Sequence, residues 1–322
     1  MRHKWFIIVN VRSGAGQGGK DWGEISGLLA EMGVEFEYSV TKYQGHALEL
    51  VLQAVASGYR YFISVGGDGT ANEVANGILI QKAVPSVEIV LGVISVGTGN
   101  DWGKTVGIPK DYQRAISAIT QGTTMVQDVG LIRYDDGQKL QQRYFVNVAG
   151  MGYDAKVCYL TNCLKERGKS GAFLYLVNLF LCLIKYKTTK VQIKVDGKSY
   201  EGMMLSLTVG IGKFNGGGMM QLPEALPDDG LFDLTLIGNV SKFDVLKNVK
   251  RLFDGSLLTH PKVKQVRGKK ISISSEPAIA VEVDGESLGI SQVEFEIFPA
   301  KLKIIVENAA ENLINNRVSE VV

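Results

Sequence analysis

Over its first 125 residues the chain repeats one unit. A short apolar run ends in a glycine-containing loop, and a segment of helical composition follows, most often closed by another glycine. Trp5–Val9 leads through Asn10–Gly14 to Asp21–Met32 and Gly33. Val34–Val40 leads to Ala47–Ala56 and Gly58. Tyr59–Val65 leads through Gly66-Gly67-Asp68-Gly69 to Thr70–Ile80. Val87–Val96 leads through Gly97-Thr98-Gly99-Asn100 to Asp111–Gln121 and Gly122. Short strands joined by helices pair in parallel, because a crossover of that length returns the next strand in the same direction. The rhythm therefore predicts an α/β, doubly wound N-terminal domain over residues 1–125.

The rhythm then changes. Strand-like runs at Thr124–Tyr134, Tyr144–Val148, Lys190–Val195, Gly202–Val209, Leu231–Ile237, Lys270–Ser274, Ile279–Val283, Val293–Ile297 and Leu302–Val306 are separated by turns such as Asp136-Gly137 and Asp196-Gly197. Asp-Gly between alternating runs is a hairpin signal. Residues 126–308 thus read as a mainly antiparallel β-domain interrupted by a helical stretch to about Lys187. Residues 309–322 read as a C-terminal tail, helical over Ala309–Val318, that packs back on the first domain. A chain of 322 residues is long enough for two such cores.

Composition excludes several classes. Lys and Arg total 35 against 33 Asp and Glu, a net charge of +2, which argues against nucleic acid as the partner. Three cysteines, Cys158, Cys163 and Cys182, have neither disulfide nor zinc spacing, so a reducing cytoplasm is expected. The longest uncharged stretch, Ser170–Ile184, has 15 residues, short of the ~20 that a spanning helix needs. It reads as a core or dimer helix, leaving a homodimer open, or as an interfacial element flanked by Lys165, Arg167, Lys169, Lys185 and Lys187. A second basic run, Lys262, Lys264, Arg267, Lys269 and Lys270, reads as a solvated strand and loop or as a face for anionic headgroups.

Three glycine loops fall at the same predicted sheet edge, where α/β sheets bind ligands. Glycine lets backbone N–H groups approach phosphate oxygens, and the helix beginning near Thr70 adds its positive end. Two familiar patterns nearly fit the first loop. Gly14-x-Gly16-x-x-Gly19 with Glu35 or Glu37 is close to a dinucleotide fingerprint, but its first glycine lies beyond the strand end. Gly14 to Gly19-Lys20-Asp21 is close to a P-loop, but Asp21 stands where a hydroxyl would hold metal. In the second loop, Asp68 among phosphate-binding amides makes sense when Mg²⁺ bridges it to a nucleotide. Gly216-Gly217-Gly218 is costly to order, so its backbone is expected to approach something closely. His46 reads as a surface residue near a helix start.

These residues resemble the diacylglycerol kinase-like lipid kinases, relatives of NAD kinases and 6-phosphofructokinases. The resemblance spans nearly the whole chain. It rests on Asn10 with Ser13-Gly14, Gly66–Thr70 with Asn72-Glu73, Gly97–Asp101, Gly216–Gly218, Pro227–Leu231 and Asp284-Gly285-Glu286. It implies two domains with ATP in an interdomain cleft, and a nucleotide held by Asn10, Val11, Arg12, Ser13, Gly14, Thr41, Gly66, Gly67, Asp68, Gly69, Thr70, Ala71, Asn72 and Thr98. Val11 departs from the family, which usually has Pro there, and leaves the loop less rigid.

The resemblance further implies Mg²⁺, with Asp68 in a metal-linked network that extends to Asp101 and Asp128. A structural Mg²⁺ would sit on Asp229 and the carbonyls of Leu226 and Leu231. Glu286, or alternatively Asp284, would be the base that accepts the lipid hydroxyl proton. The expected activity is γ-phosphoryl transfer from ATP to a lipid hydroxyl, diacylglycerol-like or sphingoid, by a cytoplasmic protein in peripheral contact with a membrane. A soluble NAD kinase-like enzyme and a non-catalytic lipid- or nucleotide-binding module are the alternatives.

Overall fold

A computed structural model describes residues 3–97, 99–166 and 180–307. Thr98, the segment 167–179, the Lys165 side chain and the tail 309–322 lie outside the described residues. They take with them most of the uncharged stretch and the expected C-terminal helix. The described chain forms two compact units. The first takes residues up to 129, 226–229 and those from 299; the second takes 130–225 and 230–298.

In the first unit, β1 (Lys4–Val9), α1 (Ser13–Glu31), β2 (Glu35–Val40), α2 (His46–Ala56), β3 (Tyr61–Gly66), α3 (Asp68–Ile80) and β4 (Val90–Ser95) follow the expected alternation. All strands are parallel, in the order β4-β3-β1-β2. Val9 pairs with Val65 and Val40, and Gly66 with Ser95, so the strands end level. Because β1 leads outward to β2 and β3 leads the other way to β4, the order reverses between β1 and β3. That is where such sheets open a crevice for ligands. Ile7, Ile63, Val65 and Ile94 pack against Ile25 and Leu29 of α1 and against Ile116 and Ile119 of α5 (Tyr112–Gln121).

Three boundaries differ from expectation. Helix α1 begins at Ser13, before Asp21, with Gly14, Ala15 and Gly16 in left-handed conformation at its start. Asp101–Val106 forms a short helix, α4, that composition did not mark. The run from Val87 divides into a 3₁₀ turn, Ser86–Glu88, and β4.

The second unit is antiparallel. After β5 (Thr124–Asp135) and β6 (Leu140–Phe145) come β7 (Val148–Gly152), α6 (Tyr153–Glu166), a helical stretch over 180–185 (α7), β8 (Thr189–Val195) and β9 (Lys198–Gly210). The small hairpin β10 (Phe214–Asn215) and β11 (Met219–Met220) precedes β12 (Phe232–Gly238), α8 (Lys242–Asn248), β13 (Val263–Gly268), β14 (Lys270–Ser275), β15 (Ala280–Val283), β16 (Glu286–Ile290) and β17 (Val293–Ile305).

Strand β7 lies between β15 and β9, and β9 also pairs with β8 and β12. Alternation assigns the two faces. Ala149, Met151, Leu207, Val209, Val281, Val283 and Leu234 enter one apolar core with Phe145, Phe232 and Phe295. The residues between them, Gly150, Gly152, Thr208, Ser206, Glu282 and Thr235, form the opposite face, and all the polar side chains among them are buried. Expected strand Tyr144–Val148 breaks into β6 and β7 because the N–H groups of Val146 and Asn147 bond a side chain instead of a strand. The two expected strands at 293 and 302 are one, β17, with Ala300 in a left-handed conformation (φ 51°).

The glycine triplet at 216 lies between β10 and β11. All three residues have positive φ, closing the β10–β11 hairpin, and a Cβ on Gly217 would meet nothing within 4 Å. In the second basic run, Arg267 pairs with Asp233, Lys270 with Glu296, and Lys262 donates to the Asn239 carbonyl.

Candidate active site

The first unit gathers the nucleotide candidates at the sheet's carboxyl edge. Asn10 leaves β1 and ties its own loop to the loop between β3 and α3. Its N–H donates to Val65 O (2.9 Å), its Nδ2 donates to Thr70 Oγ1 (2.9 Å), and its Oδ1 accepts from Arg12 N–H (3.0 Å). The Asn10 carbonyl accepts from both Ser13 N–H (3.1 Å) and Ser13 Oγ (2.7 Å). Gly18 is required by this geometry, since a Cβ there would stand 2.3 Å from the Asn10 carbonyl oxygen. Gly19 N–H donates to Val11 O at 3.0 Å, holding the loop in the absence of a proline.

Gly14 and Gly97 approach each other backbone to backbone. A Cβ on Gly14 would lie 3.3 Å from Gly97 Cα, and both residues have positive φ (58° and 126°). Ala15, also left-handed, carries strain of about 1–2 kcal/mol that a glycine would not. Lys20 and Asp21 lie inside α1, and Asp21 accepts from Tyr112 Oη (2.6 Å) and Gln17 (2.6 Å). The P-loop-like and dinucleotide-like spacings therefore do not correspond to those loops.

Gly67 caps α3 in extended conformation and Asp68 opens the helix, so its carboxylate stands at the helix's positive end. Asp68 Oδ2 accepts from the N–H of Asp101 (3.2 Å), and a Cβ on Gly99 would approach that oxygen to 3.3 Å. Asp68 and Asp101 are thus brought together; the Asp101 carboxylate pairs with Lys104 at 3.1 Å. Asp128 is buried on β5, and its Oδ1 accepts from Ala300 N–H (2.8 Å) while its own N–H donates to Pro227 O (2.7 Å).

Asn72 is fully buried and accepts from Asn76. Glu73 caps the start of α2 through Gly45 N–H (2.8 Å) and Ala47 N–H (3.2 Å). Thr41, half-buried, follows β2 with its N–H on Val9 O. His46 accepts from Lys42 N–H, and its ring lies tilted against Tyr43.

Glycine-lined loops with converging backbone fit a triphosphate, which side chains would exclude. Mg²⁺ is usually held by one or two carboxylates together with waters and substrate phosphates. Asp68 and Asp101 offer that donor set. Among the described residues no group of three or more His, Cys, Asp or Glu forms a protein-only cage. Asp229 is exposed in its turn, and Leu226 and Leu231 on either side of it are half-buried.

The second unit carries the other carboxylates. Asp284 and Gly285 have φ of 47° and 83°, forming a two-residue turn in which Val283 pairs with Glu286. Buried Asp284 uses both oxygens as a clasp. Oδ2 accepts from Val146 N–H (2.9 Å), and Oδ1 from Asn147 N–H (3.1 Å) and Val148 N–H (3.0 Å). Gly285 is held as well: its N–H donates to Glu282 Oε2 (3.0 Å), and its carbonyl accepts from Asn162 Nδ2 (2.9 Å) and Cys158 Sγ (3.2 Å) of α6. Glu286 follows on β16 and is half-buried.

Sequence reasoning missed the buried polar face behind this turn. Glu282 lies over Gly150, whose Cβ would stand 2.6 Å from its Oε1. Burial, reinforced by Asp284 and Asp154, pushes its carboxyl up to about 8, so it is protonated at neutral pH. Burial also pushes Asp154 above the ordinary carboxylate range, against hydrogen bonds from Ser206, Gln221 and Thr208. Gln221 links the set, donating to Asp154 Oδ2 (2.8 Å) and accepting from Thr208 Oγ1 (2.5 Å) and Asn215 Nδ2 (3.0 Å). The available signal was the alternation Gly150-Met151-Gly152, which strips one strand face of side chains, opposite an acid placed between Val281 and Val283.

Comparison with known proteins agrees with both units. Residues 4–132 match the diacylglycerol kinase catalytic domain, and residues 147–306 match the YegS C-terminal NAD kinase beta sandwich-like domain. A diacylglycerol kinase of Staphylococcus aureus strain MRSA252 is 31% identical over 318 residues, covering 98% of this chain and 97% of that protein. The crystal structure of a putative diacylglycerol kinase from Bacillus anthracis str. Sterne superposes with a TM-score of 0.76 at 26% identity, covering 96% of each chain. Yeast NADH kinase complexed with NADH, at 12% identity and a TM-score of 0.55 over all of this chain and 88% of its own, shares the fold. The chain belongs to the diacylglycerol kinase family.

Proposed function

We propose that this member of the diacylglycerol kinase family is an ATP-dependent lipid kinase that phosphorylates the hydroxyl of a diacylglycerol-like or sphingoid-type lipid. The observation that carries the reading is the meeting of three glycine loops at the β1/β3 crevice, with Asp68 Oδ2 held at 3.2 Å by the N–H of Asp101. Such a site suits phosphoryl transfer, which asks mainly for positioning and charge neutralisation.

In this reading the loops Asn10–Gly14 and Gly66–Thr70 hold the nucleotide phosphates through backbone N–H groups, and Thr41, Ala71, Asn72 and Thr98 complete the proposed nucleotide set. Asp68 and Asp101 would hold Mg²⁺, which would neutralise phosphate charge; Leu226, Asp229 and Leu231 are the second proposed metal position. Glu286 Oε takes the proton from the acceptor hydroxyl. The hydroxyl oxygen bonds the γ-phosphorus as the bond to the β,γ-bridging oxygen breaks, leaving ADP and a phospholipid. The clasp formed by Asp284 favours Glu286 as the base, because three N–H donors already take three of Asp284's roughly four lone-pair sites. Peripheral membrane contact belongs to the same reading. No helix among the described residues is long and apolar enough to cross a membrane.

The test is transfer of label from γ-labelled ATP to a panel of lipids in mixed micelles, with NAD⁺ as a control acceptor and Asp68→Ala as the blank. Labelled lipid that disappears in the blank supports the reading and names the acceptor. Label in NAD⁺ alone, or nucleotide binding without transfer to any acceptor, overturns it.

A further inference from the structure

Two short helices of the second unit pack their inner sides together and leave unusual outer sides. Cys182 and Leu183 of α7 are buried, and Val245 of α8 packs against that cluster with Ile237 and Val240. Lys242 Nζ donates to the Ile184 carbonyl, fastening one helix to the other. Facing outward, α7 presents Leu181 and Ile184, and α8 presents Phe243 and Leu246. Each pair is spaced i, i+3, so it lies on one face. Their exposures are 54%, 62%, 77% and 45%, far more than monomeric proteins normally leave open in adjoining large apolar residues.

The ring around these side chains is basic. Lys185, Lys187, Lys242, Lys247 and Lys250 are exposed and Arg251 is half-buried, against two acids. Asp244 is engaged by Asn248 (2.9 Å) and His260 (3.3 Å), and Asp254 by Ser256 N–H (3.0 Å) and Oγ (2.6 Å). Beside α8 an open recess of about 450 Å³ is lined by Lys247, Asn248, Lys250, Arg251, Ser256 and Thr259, with Asp254 at its wall. Three cations at one recess, Arg251 among them braced by Asn248 and Thr259, suit a lipid phosphate.

We propose that the outer faces of α7 and α8 dock onto a bilayer bearing anionic phospholipids, with Leu181, Ile184, Phe243 and Leu246 entering the interfacial layer and the recess at Lys247, Lys250 and Arg251 receiving a lipid phosphate. Apolar protrusions ringed by cations match the two layers of a membrane surface, hydrocarbon beneath phosphate. The proposal rests on the lipid-kinase reading for its purpose, while vesicle binding can be measured without catalysis.

The experiment is flotation of the full chain with vesicles of phosphatidylcholine alone and of phosphatidylcholine with phosphatidylglycerol. Wild type floats with the anionic vesicles and is released by salt. The double variant Lys247→Gln/Lys250→Gln partitions about 25-fold less, from roughly fivefold per cation. The variant Ile184→Ser/Phe243→Ser partitions at least ~10-fold less even at low salt. Both keep the wild-type melting transition, and both keep kcat on a short-chain, monomerically dispersed acceptor while losing rate on vesicles.

Wild type that ignores anionic vesicles, or variants that float as well as wild type, overturns the proposal. So does an Ile184→Ser/Phe243→Ser protein that changes from dimer to monomer in sedimentation with unchanged flotation, because a second copy then covers the face. Flotation without phosphorylation of any lipid removes the kinase reading and leaves the docking surface standing. Phosphorylation of the short-chain acceptor without flotation does the reverse.

Discussion

Replacing Asp284 separates the two carboxylates of the Asp284-Gly285-Glu286 turn. Asp284 accepts three N–H groups at 2.9, 3.1 and 3.0 Å, from Val146, Asn147 and Val148, whose exposures are 2%, 6% and 2%. With Asp284→Ala those donors lose their partner in a place that admits little water. Each buried unsatisfied donor costs about 1–3 kcal/mol, so the loss is at least about 3 kcal/mol. Asp284→Asn keeps Oδ1 for Asn147 and Val148 but turns an amide N–H₂ toward Val146 N–H, costing about 2 kcal/mol. A unit of this size moves its melting temperature by about 2–4 °C per kcal/mol, which gives roughly 10 °C for Ala and 4–8 °C for Asn.

Glu286→Gln, by contrast, should leave the melting temperature within about 2 °C and lower kcat by ~10²-fold or more, as loss of a general base does. Near-UV circular dichroism melts and lipid phosphorylation rates, taken on the same preparations, give both numbers. Asp284→Asn with a wild-type melt and a kcat loss as deep as that of Glu286→Gln would refute the clasp. It would make Asp284 the proton acceptor instead.

Other outcomes follow from single contacts. Asp68→Ala should fold normally, because the residue is partly exposed at a helix start, yet lose nearly all transfer; full activity in a phosphorylation assay would remove Asp68 from the site. Gly18→Ala, forced to within 2.3 Å of the Asn10 carbonyl, should displace the loop, cost about 1–3 kcal/mol and raise the KM for nucleotide more than it lowers kcat. Glu282 ties stability to pH. Its folded carboxyl holds a proton up to about 8, whereas the unfolded one releases it near 4.5. Between those values stability falls as pH rises, by about 1.4 kcal/mol per pH unit and at most about 5 kcal/mol, with the full cost present above 8. Glu282→Gln should flatten this slope in urea titrations across that window and be more stable than wild type at pH 9; an unchanged slope would mean that Glu282 is ionised throughout.

Much of the first unit was legible because its signals are local. Apolar run, glycine loop and amphipathic segment each act within about ten residues, and four such units in succession leave a parallel sheet as the way to bury them all. The level strand ends that set Asn10 beside Thr70 follow from that topology. The Asp284-Gly285 turn was likewise visible, since few dipeptides accept two successive positive φ values.

Where sequence spacing misled, a longer-range contact had overruled it. Tyr144–Val148 reads as one strand, but the Asp284 carboxylate, 136 to 138 positions away, takes three of its N–H groups and splits it. The Gly14–Gly19 spacings come close to two nucleotide-loop patterns and match neither, and the structure fixes that backbone through Asn10, Gly97 and the Gly18 contact. Only the tertiary structure decided that Glu282 is protonated. An acid's charge state depends on which strand lies beside it, here a glycine strand that leaves room for the side chain but offers no cation. The sequence alone determined which elements form, because propensity and turn chemistry act along the chain. The tertiary structure decided which carboxylates clasp backbone and which remain for chemistry, because burial and hydrogen-bond partners come from neighbours that the chain brings together across its length.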